Sequence, residues 1–233
     1  MTITVGVPAL GPAAWPFVES LVAMEFPPGE ARRLMIAGPL AVDVARNQIV
    51  RRFLATPDRW LLMVDSDMVF APGTLRRLLS WDLPVVTPLM FQRHGPLPPL
   101  IMRGTGENAA GQHGHAIQLH ETREWLTAHG ELVSSRPVIL DPAPADCLTE
   151  VTTLGGGCML IRRDALEALG LEDGWFRCDP GKHNMEDIRF GEALAEAGVP
   201  MVVDRSCMVA HLYGDRPLAA LDWLVWDKVS DYE

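Results

Sequence analysis

The chain has 233 residues, 48% of them hydrophobic and 21% charged, and its 20 basic and 30 acidic side chains give a formal net charge of −10. That length suits one large α/β unit better than two small domains, and the acid excess argues against a broad phosphate-neutralising surface, so nucleic acid is not the default partner. Four widely spaced cysteines without a CxxC pair, no basic and apolar leader, and no apolar run of about 18 residues argue against a disulfide framework, a zinc knuckle and a transmembrane segment; the expectation is a soluble, cytoplasmic protein.

Residues 3–8 form a short β-branched run ended by Pro8, followed by a Gly/Pro loop to Pro16 and a predicted helix to Glu25. Residues 33–37 read as a second strand and 40–55 as a strongly periodic helix, with Thr56-Pro57-Asp58 as the breaker. The run WLLMVDSDMVF at 60–70 is nearly continuously apolar, as a strand buried on both faces requires, and it stops at Asp65 and Asp67. A helix over 72–81, opened by proline in its first turn, and a strand over 83–87 complete the first half. Strands alternating with helices predict a mostly parallel sheet flanked by helices. Residues 92–144 are Pro-, Gly- and His-rich, with only 121–129 helical in pattern, and read as a long excursion over the sheet edge. An apolar strand over 151–161 is interrupted by Gly155-Gly156-Gly157, the mark of a bulge or a close approach. Helices over 164–169 and 185–197, each closed by glycine, a strand over 200–203, and a tail helix over 218–229 with Trp223 and Trp226 inward end the chain.

The chemistry concentrates at strand ends. Alternate residues of an extended chain face opposite ways, so Asp65 and Asp67 share one ion only if the chain turns there or one of them acts indirectly. Hard oxygen donors suit Mg²⁺ or Mn²⁺, which keep positions for water and substrate phosphates; the bland reading is a pair of turn caps. Arg46 falls in the middle of the apolar face made by Val42, Ala45, Ile49, Val50 and Phe53, which calls for a buried anion: a ligand's, or an internal ion pair. Asn184, Glu186 and Asp187 open a helix as a capping set, with one acid left over for general-base work. His211 ends an apolar stretch as the two aspartates do, whereas His113, His115, His120 and His129 read as surface.

The order of these motifs resembles a nucleotide-sugar-dependent glycosyltransferase of the GT-A fold, closest to the broad family-2-like group. The resemblance rests on the proline-ended first strand, Ala45-Arg46-Asn47, Asp65-Ser66-Asp67-Met68, Gly155 through Arg163, Glu186-Asp187 and His211. It implies a single Rossmann-like GT-A domain over 1–233: a nucleotide-sugar half over 1–91, an irregular excursion over 92–150 and an acceptor-side half over 151–233. It implies that Pro8, Arg46, Asp65, Arg93 and Gly156 lie along the donor, that Asp67, His211 and Asp65 hold Mn²⁺ or Mg²⁺, and that Glu186-Asp187 is the acidic pair in which Asp187 deprotonates the acceptor of an inverting transfer. The donor would be a UDP- or GDP-sugar, and the acceptor a glycan, lipid, small molecule, protein or modified DNA base. The Phe-Asp element usual before the acidic pair is altered here to Trp175-Phe176-Arg177-Cys178-Asp179.

Other classes share parts of the pattern. A haloacid-dehalogenase-type phosphatase also runs an apolar strand into DxD, with Asp65 as nucleophile and Asp67 as acid/base, but its motif sits on the first strand of the fold. A sugar-phosphate nucleotidyltransferase needs a Gly-rich basic loop after the first strand, which is absent. A non-catalytic nucleotide or glycan binder has no need of the intact acids and histidine.

Overall fold

The chain opens with β1 (Thr2–Pro8), α1 (Trp15–Ala23), β2 (Ala31–Ala37), α2 (Val42–Leu54) and β3 (Trp60–Val64), so the two predicted β-α units are present and feed a third strand. The computed structural model describes residues 2–93, 97–107, 113–117, 119–170, 174–178 and 186–230, with the backbone alone over 104–107, 113–117 and 227–230. A turn leads to β4 (Met68–Val69), then α3 (Thr74–Leu79) and β5 (Val85–Leu89). The predicted excursion is more regular than its composition suggests: it holds a hairpin of β6 (Ile101–Glu107) and β7 (His113–Ile117), α4 (Leu119–Ala128), a 3-10 turn and β8 (Val138–Ile139). Next come β9 (Leu148–Val151), β10 (Thr153–Leu154), β11 (Cys158–Arg162), α5 (Arg163–Leu169), α6 (Glu186–Glu196), β12 (Met201–Met208), β13 (Ala210–Tyr213), β14 (Arg216–Leu218) and α7 (Ala220–Ser230).

The main sheet has eight strands in the order β2-β1-β3-β11-β5-β12-β8, with β9 also on β12. β2, β1 and β3 pair in parallel and so do β5 and β12, while β11 runs against both of its neighbours and β8 and β9 run against β12. The single apolar strand expected over 151–161 is therefore corrected: it holds the last residue of β9, then β10, then β11 after a turn at the three glycines; β9 and β11 belong to the main sheet, whereas β10 pairs with β6. The reversal matters for function, because the start of β11 lies at the same edge as the carboxyl ends of its parallel neighbours, with Cys158 opposite Val64.

Alternation along β3 sorts its residues onto two covered faces. Leu61 and Met63 join one core with Ile49, Phe53, Met159, Ile161, Leu166 and Phe190, so α2, α5 and α6 lie on that side. Trp60, Leu62 and Val64 join the other with Phe17, Leu21, Leu75 and Leu78, under α1 and α3. Burial on both sides is the reason a continuous apolar run is stable as a strand. The expectation for the tail holds for Trp223, which is 2% exposed and packs its ring 5.7 Å from Phe91, and is corrected for Trp226, which is 49% exposed. Positions 223 and 226 share a helical face, but the helix has left the core by then: Leu224 is the last described side chain packed on it, and Val225 and Trp226 are both about half exposed. Among the described residues no helix is long and apolar enough to cross a membrane.

Two polar devices fix the frame. Buried Asp58 accepts hydrogen bonds from Thr4 Oγ1 at 2.6 Å and Arg33 Nε at 2.8 Å, joining β1 and β2 to the approach of β3. Arg163 donates to the carbonyls of Phe53 and Leu54 at the end of α2, at 3.1 and 3.3 Å, and of Asp58 beyond it, at 2.8 Å, tying the start of α5 to that end of the helix.

Burial would raise the Asp58 carboxyl, but the hydrogen bonds from Arg33 and Thr4 hold it below the ordinary carboxylate value. A depressed acid contributes stability above its unfolded pKa and loses it as pH falls through the folded one. Asp58→Asn should therefore cost about 1–3 kcal/mol at neutral pH, and urea titrations should find the gap to wild type closing below about pH 4. Trp223→Ala should cost about 3–5 kcal/mol in the same assay, and Trp226→Ala less than about 0.5 kcal/mol.

Candidate active site

Helix α2 carries Arg46 into the middle of the molecule, where it is 2% exposed. Its Nη2 donates to both oxygens of Asp65, at 2.8 and 2.9 Å, and to the Gly156 carbonyl at 3.0 Å; its Nη1 donates to Glu186 Oε1 at 2.6 Å. Of the readings open for this arginine, the internal ion pair is the observed geometry. Burial would lower the Arg46 pKa, but the charges of Asp65 and Glu186 outweigh it and the guanidinium stays charged. Desolvation pushes the carboxyls of Asp65 and Glu186 upward, against the pull of Arg46. The close approach expected at the glycines is made by the protein's own side chain: a Cβ at Gly156 would lie 2.1 Å from Arg46 Nη1. Only glycine lets the guanidinium lie flat on that turn.

Asp65 follows β3 directly, and the chain then turns, with Met68 N donating to Asp65 O at 3.2 Å. The turn lets both acids reach the same edge, yet they take different partners. Asp67 Oδ2 accepts a short hydrogen bond from Arg93 Nη1 and faces His211 Nε2 at 3.3 Å. Backbone pairing brings these groups together: β13 pairs with β4, His211 lies opposite Met68, and Leu212 N donates to Asp67 O at 2.8 Å. Arg93 arrives from the chain beyond β5, where Gln92 N donates to Pro98 O at 3.0 Å and Phe91 bridges to Pro99. Burial would raise the Asp67 carboxyl, but the hydrogen bond and charge of His211, with the charge of Arg93, hold it below the ordinary value.

Of the acidic pair, Glu186 is 3% exposed and turned toward Arg46. Asp187 takes the cleft side: its Oδ2 accepts from Gly156 N at 2.8 Å and its Oδ1 from Ile188 N, also at 2.8 Å. The second of these is the helix-start role expected for it; Asn184, the expected cap, lies outside the described residues. Pro8, Arg46, Asp65, Asp67, Arg93, Gly156, Glu186, Asp187 and His211 all line one cleft of about 630 Å³, a volume suited to a small-molecule ligand. A second depression of about 560 Å³ near Gly73 and Trp81 has its Arg76 and Arg77 3.4 and 3.6 Å from Glu25 and Asp141; it lacks the converging acids. Of the histidines read as surface, His120 is exposed beside Glu124, and His129 is half-buried with its ring 3.8 Å from Trp125. The side chains of His113 and His115 lie outside the described residues.

The cleft sets four carboxylates, Asp65, Asp67, Glu186 and Asp187, against two guanidinium groups, Arg46 and Arg93. An anionic ligand would meet repulsion there unless a cation came with it. Among the described residues no group of three or more His, Cys, Asp or Glu side chains forms a closed metal site. Asp67 and His211 do form an open pair, a hard oxygen beside an imidazole nitrogen on the cleft wall. The carboxylate suits a hard divalent ion such as Mn²⁺ or Mg²⁺, whose other positions would belong to phosphate oxygens and water, while the imidazole is a donor better matched to first-row transition ions.

Sequence reasoning underrated Asn47. Its side chain accepts from Trp175 N at 2.8 Å and Phe176 N at 3.0 Å and donates to Phe176 O at 2.6 Å, which holds the segment before α6 against α2. Gly174, at φ +109°, keeps that approach open, since a Cβ there would meet the Asn47 amide. The available signal was a second polar residue beside Arg46 on a helix with an apolar face. Leu10, Leu40 and Leu100 on the cleft wall carry no pattern that marks them.

The sequence matches no protein-family model and no curated protein. Its fold has many solved counterparts. The crystal structure of A197 from STIV aligns with a TM-score of 0.59 at 16% identity, covering 94% of this chain and 91% of that one. The crystal structure of GalNAc-T7 with UDP, GalNAc and Mn²⁺ aligns with a TM-score of 0.57 at 12% identity, covering 98% of this chain and 48% of that one. The fold is GT-A-like. Identity at this level carries the fold alone, and the chain spans about half the length of GalNAc-T7.

The buried cluster has a thermodynamic signature. Removing one partner of a buried ion pair leaves the other uncompensated, at a cost of about 3–5 kcal/mol. Arg46→Met and Glu186→Leu should each be destabilising on that scale, and the double variant should lose at least about 1 kcal/mol less than the two added. Strictly additive losses in denaturant titrations would mean that the pair is not energetically coupled.

Proposed function

We propose that the protein is a glycosyltransferase that moves a sugar from a nucleoside-diphosphate sugar, a UDP- or GDP-sugar, to an acceptor hydroxyl with the help of Mn²⁺ or Mg²⁺, inverting the anomeric centre. The observation that carries this reading is the convergence of Asp67, His211, Arg93 and the Glu186-Asp187 pair on one cleft at the ligand edge of a GT-A-like sheet. GalNAc-T7, of similar fold, is crystallised with UDP, GalNAc and Mn²⁺, which agrees with a metal and a nucleotide sugar here.

In this reading the bond between the anomeric carbon and the diphosphate oxygen breaks, with its electron pair leaving on the phosphate. The acceptor oxygen forms the new bond to that carbon, and its proton passes to Asp187. Asp67 and His211 would hold the divalent ion, which would supply Lewis-acid neutralisation of the leaving charge. Arg93, half-exposed on the same wall, orients the diphosphate by charge-assisted hydrogen bonds. Arg46 is a positioning residue: with both Asp65 oxygens and Glu186 bound to it, it fixes the floor on which donor and acceptor meet. That engagement also disfavours a phosphatase with Asp65 as nucleophile, because both carboxylate oxygens are held by a guanidinium. Asp187 has its oxygens on backbone donors; to act as base it exchanges one of them for the acceptor hydroxyl. The acceptor is a glycan, lipid, small metabolite, protein or modified DNA base.

Thermal-shift screening of UDP- and GDP-sugars with and without Mn²⁺ tests the donor half, since a ligand of the folded state raises the melting temperature. The expected hit needs both components and is lost in Asp67→Ala and His211→Ala. Asp187→Asn should lower transfer by about 10²–10⁴-fold while donor binding persists; unchanged turnover would reduce Asp187 to a helix cap.

A further inference from the structure

The two arginines of the cleft are held in opposite ways. Arg46 is enclosed by Asp65, Glu186 and the Gly156 carbonyl. Arg93 is 43% exposed and meets Asp67, itself 29% exposed, at the mouth. The oxygen it binds is Oδ2, the one that faces His211 Nε2 at 3.3 Å. That oxygen is the natural seat of any cation shared by Asp67 and His211, and the Arg93 guanidinium already occupies it.

We infer that Arg93 is an exchangeable counter-cation: it and a divalent ion compete for Asp67 Oδ2, and the diphosphate of the donor resolves the competition by taking Arg93. The inference rests on the reading of Asp67 and His211 as the metal pair. A guanidinium and a divalent ion on one carboxylate oxygen repel each other, so each weakens the other's hold. An exposed ion pair is weak enough to be exchanged, and a diphosphate offers the guanidinium a two-pronged anionic partner that a single shared carboxylate oxygen does not. Without a nucleotide, Arg93 lowers metal affinity and balances Asp67. With one, Arg93 transfers to the phosphates, Oδ2 is released to the ion, and metal and donor bind with positive coupling. By reciprocity the ion must tighten the nucleotide by the same factor. The cleft would then load metal and donor together and hold little free metal on its own.

The test is Mn²⁺ binding, read from the electron paramagnetic resonance of free Mn²⁺, for wild type, Arg93→Gln and Arg93→Lys, first with MnCl₂ alone and then with saturating UDP or GDP. Arg93→Gln should bind Mn²⁺ alone about tenfold more tightly than wild type, and the nucleotide should tighten Mn²⁺ at least about fivefold less than in wild type. Arg93→Lys, which keeps the charge, should stay close to wild type for Mn²⁺ alone. A melting curve verifies that the half-exposed substitutions leave the fold intact. If wild type binds Mn²⁺ through Asp67, with loss in Asp67→Ala, but Arg93→Gln binds Mn²⁺ alone no more tightly, competition is refuted and the metal pair stands. If neither protein binds Mn²⁺ with either nucleotide, the inference falls together with the metal pair.

Discussion

A single buried positive charge organises the molecule. Arg46 sits where hydrophobic packing would place an aliphatic side chain, and solvation lost by an ion at such depth must be replaced by partners. Those partners come from three distant segments: Asp65 at the end of β3, the Gly156 carbonyl before β11, and Glu186 at the start of α6. Each contact fixes the neighbour that faces the cleft. Asp65 precedes the turn that presents Asp67, Gly156 N holds Asp187, and Glu186 occupies the inward position so that Asp187 does not. The arginine thus governs the site without itself needing to touch a ligand. It also explains a glycine that no turn geometry demands, because the guanidinium lies where a Cβ would be.

The outer ring of the cleft obeys different electrostatics. Asp67, His211 and Arg93 are partly open to solvent, so their mutual attractions are screened and adjustable, whereas the inner cluster is fixed. A rigid base beneath an adjustable rim suits the highly charged ligand proposed for this cleft. The inner contacts preserve geometry, and the outer ones can change partner at little cost.

Much of this was legible in the sequence, for reasons that differ from residue to residue. The apolar run at 60–64 could be read as a strand because both of its faces are buried, which leaves no alternation to confuse it. Arg46 declared itself through helical periodicity, which places a charge in an apolar stripe, but periodicity says nothing of which anion lies opposite. Glu186 and Asp187, adjacent in sequence, could not be told apart by pattern, and only the family resemblance favoured Asp187, since the phase of α6 against α2 decides which one faces inward. The break at Gly155 to Gly157 was visible, but not the strand reversal it produces. Direction within a sheet depends on tertiary pairing, and β11 lies between β3 and β5 although some 70 residues of chain separate it from the latter. The hairpin of β6 and β7 was hidden by glycines and histidines, residues with low intrinsic preference for strands.

The reversed strand has a consequence for how the chain folds. Arg46 and Glu186 are 140 residues apart, and Arg46 and Gly156 are 110 apart. β3 acquires its second neighbour only when β11 arrives from beyond the hairpin and α4. Contacts this remote in sequence demand that a long loop be closed before they return any energy, the situation in which folding slows as contact order rises. Until β11 inserts, the amino-terminal half holds an arginine with nothing but Asp65 to meet it and a bare strand edge along β3, both hazards for a nascent chain. Neither half then completes the cleft alone, and the cleft comes into being only in the last stage of assembly, when the chain has been synthesised past His211.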